Sequence, residues 1–143
     1  MMNFSVRTTL PLAAALLLGL APLAQAKTLD LSGSFVAENG VKTTPDGQFT
    51  GTVDTMSGKV TYKIIYSGLS GPVTASHFHG PATADQSAGV ILPIPGPYNS
   101  GMEGTVTANS ATVKEILDGM AYVNLHTAQY PMGEARAQVK ASP

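Results

Sequence analysis

The chain has 143 residues, no cysteine, no tryptophan and a formal net charge of −1 at pH 7. That length suits one domain with a real core, and the missing cysteine excludes disulfides, thiolate metal sites and cysteine nucleophiles. The near-neutral charge, without a basic patch or arginine cluster, argues against nucleic-acid binding.

Residues 1–26 read as an export leader. Arg7 and the amino terminus give a positive start, an apolar run extends from Leu10 to Leu23, and Ala24-Gln25-Ala26 is a small-x-small cleavage signal. The run is too short for a membrane anchor and is interrupted by Pro11 and Pro22. Cleavage between Ala26 and Lys27 would release a periplasmic or secreted domain, 27–143, with no membrane span. Its loss of Arg7 takes the net charge from −1 to −2.

Strand patterns dominate the chain beyond Lys27. Thr28–Val36 alternates, with Leu29, Leu31, Gly33 and Phe35 on one face. Asn39–Gly47 is a turn-rich loop, Gln48–Val53 a second strand, and Lys59–Tyr66 a third with Val60, Tyr62, Ile64 and Tyr66 on one face. Val73–His79 is a fourth, in which Phe78 faces away from the flanking histidines. Gly80–Gly104 is rich in glycine and proline and reads as an ordered, partly packed loop without a regular ladder, since proline lacks the backbone donor. Glu103–Ala108 returns to strand alternation.

A single helix comes next, with Val113, Ile116 and Leu117 at helical spacing. Thr112 and Glu115 form its expected capping box, and Gly119 its stop. Ala121–His126 and Glu134–Lys140 close the chain as a strand pair joined by the loop Thr127–Gly133. Roughly seven short strands and one helix predict an all-β antiparallel sandwich.

Two stretches resemble a known family. His77-Phe78-His79-Gly80-Pro81-Ala82 is one. The other is Tyr122-Val123-Asn124-Leu125-His126-Thr127, continued by Pro131-Met132-Gly133-Glu134-Ala135-Arg136. Together they are similar to the CHRD domain, which is repeated in the animal secreted protein chordin and occurs alone in exported bacterial proteins. The resemblance implies a single-domain member with an immunoglobulin-like sandwich related in outline to Cu,Zn superoxide dismutase. One departure is Ala137, where the family commonly has glycine.

All three histidines of the chain lie in those motifs: His77, His79 and His126. Residues two apart on a strand share a face, so His77 and His79 project together. A third imidazole brought in by the fold would complete a three-nitrogen shell for copper, or alternatively zinc. Around it, Glu134 is placed to accept the second ring N–H of His126, to ligate, or simply to pair with Arg136 or a backbone group. Asn124 and Arg136 share the polar strand face and are assigned to the hydrogen-bond network. Met102, Met120 and Met132 lack a repeated spacing and read as core or loop packing, with Met132 the one beside His126.

Catalytic motifs are absent: there is no Gly-x-Ser-x-Gly elbow, phosphate-binding glycine loop or His-Glu-x-x-His helix. The expected function is therefore an exported metal-binding module for storage, delivery or protection, with a metal ion as its partner. Two alternatives stay open. One is a superoxide dismutase-like copper enzyme on the same site, although the further metal-binding histidines and the disulfide of that family are missing. The other is a metal-free structural or interaction domain that binds another exported protein.

Overall fold

Alternating apolar side chains build strands because a pleated backbone sends neighbours to opposite faces. The computed structural model describes Leu23 and residues 25–143. The expected leader, 1–26, falls almost wholly outside them. In chain order the elements are β1 (Thr28–Ser34), β2 (Val36–Ala37), β3 (Asp46–Asp54), β4 (Lys59–Ser67), β5 (Val73–His79) and β6 (Val90–Ile94). Then come β7 (Met102–Thr107), α1 (Ser110–Leu117), β8 (Tyr122–Thr127), β9 (Ala135–Gln138) and β10 (Lys140–Ser142).

Two five-stranded antiparallel sheets result, ordered β10-β1-β3-β4-β7 and β2-β9-β8-β5-β6. Their inner faces meet in one core. Leu31, Phe49, Val53, Val60 and Ile64 come from the first sheet, and Phe78, Val123, Leu125 and Ala137 from the second. Phe49 and Phe78 join the sheets edge to face, with ring centroids 5.5 Å apart. Among the described residues no helix is long and apolar enough to cross a membrane. The described residues thus form the expected all-β sandwich with one short helix.

Three details depart from expectation. The first and last strands are each split, because the chain changes sheets at Phe35 and Val139. Both side chains are buried, and their backbone N–H groups bond outside the ladders, to Gly47 O and Ala121 O. Burial of the crossing residue holds a break that the alternating pattern hides.

The second correction is β6, which forms inside the glycine- and proline-rich stretch expected to carry no ladder. Among the described residues it pairs only with β5, at the sheet edge, so Pro93 costs no inner hydrogen bond. The third is the helix cap. Asn109, not Thr112, is the cap, its Oδ1 accepting from the Thr112 N–H at 2.8 Å. Asn109 stands one residue before the first helical turn, where a short acceptor reaches the free N–H groups. Gly119 ends the helix as expected, at φ +71°.

Candidate metal centre

The site lies on the outer face of the second sheet. Phe78 and Ser76 of β5 take the core side, so the intervening His77 and the adjacent His79 point outward. The register of β5 against β8 does the rest. Ala75 pairs with His126, His77 with Asn124 and His79 with Tyr122, so His126 stands diagonally across from His77.

All three imidazoles converge. Ring centroids are separated by 5.0 Å for His77–His126, 5.6 Å for His77–His79 and 5.8 Å for His79–His126. One nitrogen from each ring lies within 4.8 Å of the others. Two donors on one tetrahedral ion at bonds of about 2.0–2.1 Å stand roughly 3.3–3.4 Å apart. His77 Nδ1 and His126 Nε2, at 3.2 Å, are already near that spacing. Small rotamer changes would bring in the third.

Backbone carbonyls set the tautomers. His126 Nδ1 lies 3.0 Å from Pro131 O, and His79 Nδ1 lies 3.0 Å from Ala88 O. A carbonyl only accepts, so each Nδ1 must carry the proton, and each Nε2 keeps a lone pair. The Nε2 of His79 is buried with no hydrogen-bond partner among the described residues. Burial lowers the pKa of His77, assisted by the charges His126 and His79 would carry. Burial also lowers that of His79, against the bond to Ala88 O and the charge of Glu38. Rings held neutral in this way are ready to ligate.

Asn124 and Arg136 belong to the hydrogen-bond network as expected, and of the alternatives for Glu134 the structure shows pairing with a backbone group, the Ser70 N–H. Glu134 does not reach His126 or Arg136. Its fully buried carboxylate accepts from Thr43 Oγ1, Ser70 N–H, Ser70 Oγ and Thr127 Oγ1. Burial pushes its pKa up, but those hydrogen bonds outweigh burial and hold it below the ordinary 4.5. The side chain turns with Thr127 toward the loops, leaving the Pro131 carbonyl as partner of His126. Asn124 donates to Glu38 Oε1 at 2.6 Å rather than to a histidine. Arg136 bonds the carbonyls of Gln86 and Thr83 and lies 3.5 Å from the centre of the Tyr122 ring.

Tyr122, Glu38, Ala88 and Pro131 are the site groups that the sequence did not single out. Tyr122 stacks on His79, and its hydroxyl bonds the Ala88 backbone. Its position opposite His79 was implicit once β5 and β8 were paired. Glu38, after β2, comes from far along the chain and carried no local signal. A depression of about 550 Å³ opens beside the histidines, lined by Glu38, Asn39, Tyr122, Pro131 and Met132 among others. Met132 is 90% exposed there, so it fills no core.

Residues 28–139 match the model of the CHRD domain, a span that includes the histidine motifs and every strand except β10. No curated protein and no solved structure matches the chain. The match covers most of the sequence, and the chain therefore belongs to the CHRD domain family.

Proposed function

We propose that this domain is an exported metal-binding module that holds one copper ion, or alternatively zinc, through His77, His79 and His126. Storage, delivery or protection outside the cytoplasm is its role. The observation that carries this is the convergence of three imidazoles, with the tautomers of His79 and His126 set by carbonyls and the Nε2 of His79 buried and unpartnered. Neutral nitrogen ligands suit both ions, and an orphaned buried acceptor is costly unless something occupies it.

Calorimetric titration with Cu(II) and Zn(II) tests this. One ion should bind per chain, each His→Ala variant should lose most of the affinity, and binding should fade as the pH drops below about 6.5 because protons compete for the rings. Equal, weak binding by wild type and all three variants would return the histidines to a structural role. Intact-mass analysis of exported protein should show a chain starting at Lys27; a retained leader would contradict export by cleavage at that point.

A further inference from the structure

Resting on the three-histidine centre, we propose that Glu38 supplies a negative charge beside the site that selects for divalent ions and disfavours an anion at the ion's remaining open position.

Three observations meet at Glu38. It lines the same depression as His79 and His126. It is half-buried, and among the described residues no cation lies within salt-bridge distance of it, the single ion pair being Lys114–Asp118. It is also held in place: Asn124, itself buried, donates to Glu38 Oε1, while Oε2 has no hydrogen-bond partner among the described residues.

Asn124 is fixed in turn. Gly133 packs so closely that an added Cβ would fall 2.5 Å from the Asn124 amide. The backbone at Gly133, with φ +125°, belongs to a region that suits glycine. The loop that presents Pro131 O to His126 therefore also steadies the amide that aims Glu38.

Three neutral imidazoles leave the full charge of a bound ion uncompensated in a partly desolvated site, where a nearby carboxylate counts for more than in water. Glu38 lies outside the group of ligand atoms within 4.8 Å of one another and lines the depression beside them, so it acts through its charge rather than as a ligand. Its attraction scales with the ion's charge. A dication gains twice the logarithm of affinity that a monocation gains, and a monoanion entering the open position is opposed by as much as a monocation is helped.

The test compares wild type with Glu38→Gln, which keeps an acceptor for Asn124 and removes only the charge. Supporting groups around a metal typically contribute about 10–100-fold in affinity. Zn(II) binding should weaken by about that factor, Cu(I) binding by only about 3–10-fold, and azide should bind the Zn(II)-loaded variant about 3–10-fold more tightly. Equal losses for Zn(II) and Cu(I), or unchanged values for both, would overturn the proposal. So would unchanged azide affinity. Failure of the histidine centre itself reads differently, as no stoichiometric metal binding by the wild type. Matching thermal unfolding of the two metal-free proteins separates charge from misfolding.

Discussion

Tyr122 lies nearly parallel to His79, the ring planes 14° apart and the centroids separated by 5.1 Å. Arg136 covers the tyrosine as well, its guanidinium carbon 3.5 Å from the ring centre. The Tyr122 hydroxyl meets both the N–H and the carbonyl of Ala88, and that same carbonyl receives the Nδ1–H of His79. One aromatic side chain therefore sets the tilt of a candidate ligand and anchors the loop that fixes its tautomer.

Removing the hydroxyl should loosen that anchor while keeping the stack. Tyr122→Phe is expected to cost about 0.5–1.5 kcal/mol of stability and to weaken metal binding by no more than about 10-fold. Tyr122→Ala also empties a buried site and should cost about 3–5 kcal/mol. Urea unfolding of both variants beside metal titration measures this; equal metal affinity in all three proteins would remove Tyr122 from the support of His79.

Glu134 stabilises the loops by a different route. Glu134→Gln keeps the shape but sets an amide N–H₂ against groups that donate, at an expected cost of about 1–3 kcal/mol. The folded pKa lies below the ordinary 4.5. Its stabilisation is therefore present above the unfolded value and lost as pH falls through the folded one. The gap between wild type and variant in urea midpoints should be full at pH 7 and shrink below about pH 4. A gap that stays constant down to about pH 2.5 would show that the carboxylate charge is not what the cage recognises.

The histidines act in a higher window. The pKa values of His77 and His79 are lowered from 6.5, so the folded protein binds fewer protons than the unfolded chain at mildly acid pH. The stability tied to neutral rings is present above about 6.5 and drains away as pH falls through the lowered values. Metal-free wild type should lose stability as the pH falls below about 6.5, and His79→Gln should flatten that slope. Proton NMR titration of the ring signals should give midpoints below 6.5 for both residues; midpoints above that value would contradict the burial argument.

Much of the site was legible before the fold was known, and the limits have physical causes. The pairing of His77 with His79 follows from a two-residue period, and Phe78 between them marks which face is core. The joining of His126 depended on register, Ala75 opposite His126, which is set between strands 49 residues apart and by no local pattern. Hairpin pairing put Glu134 near His126 but could not choose between that ring, Arg136 and a backbone group as its partner; Ser70, Thr43 and Thr127, remote or in the adjoining loop, decide it. Ala88 and Pro131 contribute only backbone oxygens, and a carbonyl leaves no trace in side-chain composition. In the fold, β6 was missed because a rule about proline inside sheets does not hold at an edge.

The proposed binding of one ion by three imidazoles is the claim on which the rest of the account depends. X-ray absorption at the copper or zinc edge of the metal-loaded protein tests it most directly. Three nitrogen ligands at about 2.0–2.1 Å, with the outer-shell scattering of imidazole rings, are expected. His126→Ala should remove one ring from that pattern. A shell of oxygen ligands without imidazole scattering, unchanged by the substitution, would place the metal elsewhere and contradict the assignment.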